Sequence, residues 1–265
     1  MTQDRDPETL MQAVADVARI AGTAALSVPR HRLAPETKAD GSPVTAADRE
    51  AERQARAWIE SRFAGDGIIG EEFGAERAGA RWQWLIDPID GTKSFVRGVP
   101  LWGSLAAVAE GDRVIAGAAF FPAVGEMLAA ATGCGCWHQG VRCRVSEVAD
   151  LARATVLITD DRFPQAPEHR QAWRSLASSA ELARTWGDCY GYLLVATGRA
   201  EVMADAAVAS WDVAALIPII EEAGGALTDW HGQRPAFPAS AIATNARLAS
   251  KVRQILGAPE TTAPA

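Results

Sequence analysis

The stretch Leu85-Ile-Asp87-Pro-Ile-Asp90-Gly-Thr92-Lys-Ser sets two carboxylates three residues apart, where an apolar strand-like run meets a glycine-led turn. In that geometry Asp87 and Asp90 can face one point, with the Ile89 carbonyl between them. Hard oxygen donors of this kind suit Mg²⁺, which takes carboxylates and water and completes its shell with phosphate. A helix starting after Gly91 would aim free N–H groups at the same place, and Thr92 adds a hydroxyl. The competing reading makes Asp90 a helix cap and Asp87 a turn residue.

Further acids bear on that choice. Glu71 and Glu72 follow Ile68-Ile-Gly70 at an apparent strand end, and Asp48 ends Val44-Thr-Ala-Ala at a helix start. Asp212 follows Trp211 in the first turn of a later helix. Each alone reads most simply as a cap or a solvated acid. Lys38 is one of three lysines, at 38, 93 and 251, and two of them flank these segments.

The elements that must carry these residues can be sketched. Residues 8–28 repeat Leu10, Val14, Val17, Ala21 and Ala25 at helical spacing, and residues 45–63 read as a second amphipathic helix. Between them, residues 35–43 form a loop or loose hairpin. Residues 68–72 and 82–86 read as strands, with Pro88 opposing a simple continuation of the second. Glycine-punctuated β runs fill residues 103–145. Past residue 150 strands and helices alternate: a strand at 155–159, helices at 167–180 and 188–198, a strand at 200–204, and a helix at 212–223. Gly224-Gly225 closes that last helix, and Pro218 predicts a kink or an early start. The pattern predicts an α+β lobe over 1–145, an α/β lobe over 146–257 and a disordered tail over 258–265.

Composition excludes several classes. The 265 residues are 48% hydrophobic and 22% charged, which is ordinary for a globular protein. No apolar run reaches the roughly 20 residues a membrane span needs, and the charged start is not a signal peptide. The formal charge is −7, with no Lys/Arg block, which argues against nucleic acid as a partner. An acidic protein acting on an anion must neutralise it locally. Four cysteines, three of them bunched at Cys134, Cys136 and Cys143, make no disulfide framework in a chain this long, and a cytoplasmic protein is expected.

Together the acidic segments match a family pattern in order and spacing. The chain resembles the inositol monophosphatase superfamily, through Asp87-Pro-Ile-Asp90-Gly-Thr92, Trp211-Asp212-Val-Ala-Ala215 with Gly224-Gly225, and the upstream Gly70-Glu71-Glu72. The resemblance implies a layered α-β-α-β-α sandwich of the sugar-phosphatase type. It implies a Mg²⁺-dependent phosphomonoesterase with two or three ions. By correspondence, Glu71, Asp87, Asp90, Asp212 and the Ile89 carbonyl bind metal. Asp48 and Thr92 orient and activate water, with Glu71 assisting. Gly91 and Thr92 cradle phosphate, and no phosphoenzyme is required. A homodimer is implied by the resemblance alone.

Branch features point to L-histidinol phosphate. Ser94 stands where inositol enzymes of the family carry Asn, and Pro100-Leu-Trp102-Gly103 and Arg184-Thr-Trp-Gly187-Asp188-Cys-Tyr190 are similar to the histidinol-phosphatase branch. So is Thr228-Asp-Trp-His-Gly232. The substrate's ammonium group needs a carboxylate, for which Asp188 and Asp205 are the candidates. Arg184 could touch substrate, brace Asp188 or meet a neighbouring subunit. Asp188 could instead be only an N-cap. Glu71, Ile89, Asp90 and Asp212 complete the expected substrate shell.

Rival readings fit less well. A haloacid-dehalogenase phosphatase needs Asp-x-Asp, but two residues separate Asp87 from Asp90. Cys136 and Arg142 have cysteine-phosphatase spacing but sit in a β meander with no helix behind them. Cys134, Cys136, His138 and Cys143 fit no zinc pattern well. A catalytically silent relative would have lost an acid, and none of the matched positions has. Inositol-1-monophosphatase, or a broader small-molecule phosphatase of the same family, is the main alternative for the substrate.

Overall fold

The computed structural model describes residues 5–29, 35–37 and 43–257. Lys38 and the 258–265 tail lie outside the described residues.

Helix α1 (Pro7–Ser27) starts where Asp6 accepts from the Thr9 amide and Pro7 occupies the first turn. A short hairpin, β1 (Glu36–Thr37) with β2 (Pro43–Val44), leads into α2 (Ala46–Arg62). A capping box between Thr45 and Asp48 opens that helix. Next come β3 (Gly67–Gly70), β4 (Gly74–Glu76), β5 (Trp82–Asp90), the one-turn helix α3 (Thr92–Arg97) and β6 (Gly103–Glu110). The meander continues through β7 (Arg113–Phe121), β8 (Glu126–Ala131), β9 (Gly135–His138) and β10 (Val141–Arg142). These strands, from β3 onward, form one sheet in the order β10-β9-β8-β7-β6-β5-β3-β4, antiparallel except for β3 beside β5.

The second sheet is built from β11 (Thr155–Ile158), β12 (Leu182–Arg184), β13 (Val202–Asp205), β14 (Ala226–Thr228) and β15 (Ala241–Thr244). Its order is β12-β11-β13-β15-β14, with β11 parallel to both neighbours. Helices α4 (Arg170–Ser179), α5 (Asp188–Ala196), α6 (Ser210–Val213), α7 (Leu216–Glu222) and α8 (Ala249–Leu256) complete the fold.

Strand alternation sorts the core into three layers of contact. Trp84 and Ile86 of β5 face α1 and α2, joining Leu10, Val14, Ala51 and Ile59. Leu85, between them, points to the opposite face, where α5 and α7 pack with Leu193 and Ile219. Leu157, Met203 and Ala243 of the second sheet close on that same layer. Val156, Ile158 and Ile242 face outward onto α4 and α8 through Trp173, Leu176 and Val252. The result is the α-β-α-β-α sandwich that the resemblance implied.

At Pro88 the ladder is interrupted as expected, although β5 itself runs on to Asp90, with the register broken between Asp87 and Asp90. A bulge tolerates proline because it leaves the ladder there unpaired, and Ser104 Oγ donates to the Pro88 carbonyl instead. The expected helix over 212–223 is two helices, α6 and α7, offset before Pro218. Pro218 falls in the first turn of α7, where its missing N–H has no intrahelical partner to lose. Strands β12, β14 and β15 and helix α8 were not anticipated.

Glu52 of α2 fixes the turn after β3. Its buried carboxylate accepts from the Glu72 and Phe73 amides at 2.7 and 3.2 Å and pairs with Arg56 at 2.7 Å. Replacing Glu52 by Ala would leave two amides unpaired and remove the buried partner of Arg56, which keeps only the exposed Glu76 and the Gly74 carbonyl, a loss of about 3 kcal/mol. Denaturant unfolding measures this, and a change below about 1 kcal/mol would show that the turn is held by other contacts.

Candidate active site

The bulge at the end of β5 brings the Asp87 and Asp90 carboxylates together, while the Ile89 side chain packs into the α1–α2 layer. Helix α6 brings Asp212 from the second half of the chain. Carboxylate oxygens of Asp87, Asp90 and Asp212 lie within 4.8 Å of one another, the one such potential metal-binding cluster among the described residues. Each acid is clamped by a backbone amide. The Ile89 amide donates to Asp87 at 2.9 Å, the Ala209 amide to Asp212 at 2.8 Å, and the Cys189 amide of α5 to Asp90.

Asp48 and Thr92 meet beside this cluster. Asp48 Oδ2 accepts from the Thr45 amide and hydroxyl at 2.8 and 2.6 Å, so it is a capping residue. Its other oxygen lies 3.5 Å from Thr92 Oγ, which itself donates to the Ile89 carbonyl at 3.0 Å. The capping and catalytic readings of Asp48 therefore use different oxygens. Glu71, on the turn that Glu52 holds, is close enough to raise the pKa values of Asp48, Asp87 and Asp212.

Beyond the cluster lies a cleft of about 180 Å³. Asp188 and Asp205 line it together with Asp90 and Asp212. Asp205 accepts from the Tyr192 hydroxyl at 3.0 Å. Asp188 is not the N-cap of α5: Gly187 is, and Asp188 is the first helical residue, at φ +51°. Its amide donates to Thr159 Oγ at 2.8 Å. Gly187 is required here because a Cβ would come within 2.3 Å of the Thr159 Cα. Gly91 is required too: its φ is +85°, and a Cβ would meet Asp188 and the Leu101 carbonyl at 3.1 Å. Arg184 is not in this cleft. It lines a separate groove with Arg162, Arg170, Trp173 and Arg174.

Several cleft residues were not among the site residues expected from the sequence. Lys93, Thr159, Asp160, Phe163, Gln165 and Tyr192 all line the wall. Lys93, next to the motif, was the one that adjacency could have suggested. The others come from segments distant in sequence, assembled only by the second sheet.

The site is electrostatically strained. Burial, then the neighbouring carboxylates, push Asp87 well above the ordinary carboxylate range. Burial and Asp188 do the same to Asp90. Asp212 and Asp205 are each raised to about 6 and Asp188 to about 7, in every case chiefly by burial. An all-oxygen set of converging acids, with no nitrogen or sulfur donor in the cluster, suits a hard divalent cation that relieves this repulsion.

The model of the inositol monophosphatase family matches residues 6–258. The chain belongs to that family. Among its relatives, the histidinol-phosphatase of Chlorobaculum parvum is 41% identical over 84% of this chain and 87% of its own length. The histidinol-phosphatase of Mycobacterium tuberculosis is 38% identical, covering 84% and 88%. The crystal structure of the extragenic suppressor protein suhB from Bartonella henselae superposes with a TM-score of 0.86 at 25% identity, covering 94% of this chain and 98% of that one. This inositol monophosphatase family member is thus a phosphoric monoester hydrolase with the family's fold. No helix among the described residues is long and apolar enough to cross a membrane.

The acids predict an inverted pH dependence of stability. A carboxyl whose folded pKa is raised favours folding below its unfolded value, near 3.8, and that contribution is lost as pH rises to the folded value, here about 6 to 7. In EDTA the melting temperature should therefore be higher at about pH 5 than at about pH 8, and Mg²⁺ should add more at the higher pH. Asp212→Asn should melt higher than the parent in EDTA at about pH 8 and gain less from Mg²⁺. Equal gains from Mg²⁺ at both pH values would contradict the electrostatic reading.

Proposed function

We propose that the protein is a Mg²⁺-dependent histidinol-phosphatase, hydrolysing L-histidinol phosphate to L-histidinol and phosphate in histidine biosynthesis. The observation that carries this is the placement of Asp188 and Asp205 in the same cleft as Asp90 and Asp212. Two carboxylates beyond the phosphate-handling acids match a substrate that joins a phosphate to an ammonium group. The names of the relatives support the same reading.

Glu71, Asp87, Asp90, Asp212 and the Ile89 carbonyl are the groups that would hold two or three ions. The chemistry such ions supply is Lewis-acid neutralisation of the phosphoryl oxygens and of the leaving alkoxide. Thr92 and Asp48 are suited to handling the nucleophile. The threonine hydroxyl can orient a water in line with the phosphorus, and the free Asp48 oxygen can take its proton through that hydroxyl. Burial raises the Asp48 pKa, while its Thr45 hydrogen bonds restrain the rise, which makes it a stronger proton acceptor than an ordinary carboxylate. Gly91 and Thr92 back the phosphate, with Gly91's missing side chain leaving room for Asp188. No protein nucleophile is needed. The family also carries the expectation of a homodimer in the cytoplasm, in which Arg184 would serve a neighbouring subunit rather than substrate.

Phosphate release from L-histidinol phosphate and myo-inositol 1-phosphate, side by side with Mg²⁺ or EDTA, tests the proposal. A Mg²⁺-dependent preference of about a hundredfold for histidinol phosphate is expected. A preference for the inositol ester would keep the metal mechanism and move the substrate to the alternative. Activity that survives EDTA would overturn the mechanism. Asp90→Asn should cut turnover by about a thousandfold or more without unfolding the chain. Asp188→Asn should raise KM for histidinol phosphate by about 10- to 100-fold and leave an aryl phosphate that carries no cation little affected.

A further inference from the structure

The bunched cysteines belong to none of the machinery above. In the β9–β10 hairpin, His138 pairs with Val141 and Trp137 with Arg142, around a Gln139-Gly140 turn in which both residues have positive φ. One step further along, Cys136 stands opposite Cys143, whose amide donates to the Cys136 carbonyl at 2.9 Å. The two sulfurs are 3.4 Å apart. A disulfide needs about 2.05 Å, so closure takes a side-chain adjustment of little more than an ångström. Opposed backbones already fix the rest of the approach.

The pair is also chemically unequal. Cys136 is fully buried, whereas Cys143 is partly exposed. Their shared hydrogen bond holds the Cys143 thiol below its ordinary range and, with burial, pushes that of Cys136 far up. Cys143 is thus placed as the attacking thiol and Cys136 as the resolving one. The other two cysteines differ. Cys189 is buried behind Asp90, and burial drives its thiol well up. Cys134 is half-buried like Cys143 but stands opposite no other cysteine; its sulfur rests 3.8 Å from the Thr132 carbonyl, and burial raises its thiol.

The position gives a bond here a consequence. Glu222, the last residue of α7, accepts from the Gly133 and Gly135 amides at 2.7 and 2.8 Å, beside Cys136. Two residues past Cys143, the Val145 amide donates to the Ala223 carbonyl at 3.0 Å. Cys143 packs against the core layer between the sheets, where the chain leaves the first sheet for the second.

We propose that Cys136 and Cys143 form a reversible intramolecular disulfide on exposure to hydrogen peroxide, fastening the segment that links the two sheets. The Cys143 thiolate attacks a peroxide oxygen. An S–O bond forms, the O–O bond breaks, and the leaving hydroxide takes a proton to become water. The Cys136 sulfur then attacks the Cys143 sulfenic sulfur. The S–S bond forms, the S–O bond breaks, and the Cys136 proton leaves with the hydroxyl as a second water. Two thiols are oxidised and one peroxide is reduced, and a dithiol reverses the change.

Titration with hydrogen peroxide, followed by thiol counting, intact mass and non-reducing peptide mapping, tests this on the native chain. Two of the four thiols should disappear. The mass should fall by about 2 Da, and a Cys136–Cys143 cross-link should appear. The melting temperature should rise by about 3–8 °C and return with dithiothreitol. Cys134→Ser should behave like the parent, whereas Cys136→Ser and Cys143→Ser should each lose the oxidative shift. Four intact thiols, a cross-link through Cys134, or sulfinic acid on Cys143 with Cys136 still free would overturn the pairing. A melting temperature unmoved by the cross-link would overturn the fastening.

Discussion

Mutual repulsion among buried carboxylates is the constraint that organises the molecule. Asp87, Asp90 and Asp212 converge within 4.8 Å, with Glu71 and Asp48 beside them. Left to side-chain freedom, such acids would turn apart into water. Here Asp48, Asp87, Asp90 and Asp212 each have one oxygen anchored by a backbone amide. The β5 bulge supplies the amide for Asp87, and the first turns of α2, α5 and α6 supply those for Asp48, Asp90 and Asp212.

Three of the four anchors are local, and that decides what could be read in advance. The amides holding Asp48, Asp87 and Asp212 come from residues within three positions, so motif and anchor travel together in the sequence. The Asp87–Asp90 spacing suggested that these two acids meet, whereas the convergence of Asp212 and the meeting of Asp48 with Thr92 were expected from the resemblance. The Asp90 anchor is not local: it is the Cys189 amide, 99 residues away. The Glu52 clamp on the turn that carries Glu71 spans 20 residues and crosses from helix to strand. No periodicity encodes such contacts. They follow from packing α2 and α5 on opposite faces of the same sheet.

The fold divides along the same line. The first half was legible because long amphipathic helices and glycine-punctuated meander strands carry their own periods. The second half was less so. Strands β12 and β14 are three residues each, too short to show alternation. The split of α6 from α7 is set by tertiary contact, since the Ala215 backbone between them lies against Gly117 of β7, where a Cβ would come within 2.2 Å of its carbonyl oxygen. The hydrophobic helical pattern runs across that break, and Pro218 alone marked an interruption there.

The cleft beyond the cluster argues for charge as the discriminator among phosphate esters. Its polar wall has Asp160, Asp188 and Asp205 against a single lysine, Lys93. A polyol phosphate brings hydroxyls, which can hydrogen-bond to these acids but do not neutralise them. An amine-bearing ester brings a cation, which offsets the cost of keeping Asp188 and Asp205 ionised in a buried site. Tyr192 and Thr159 hold those two acids through the Asp205 carboxylate and the Asp188 amide, so their positions do not depend on substrate. Specificity in this reading rests on a preformed negative wall, which leaves the phosphate chemistry common to the family and confines the choice of ester to the second sheet.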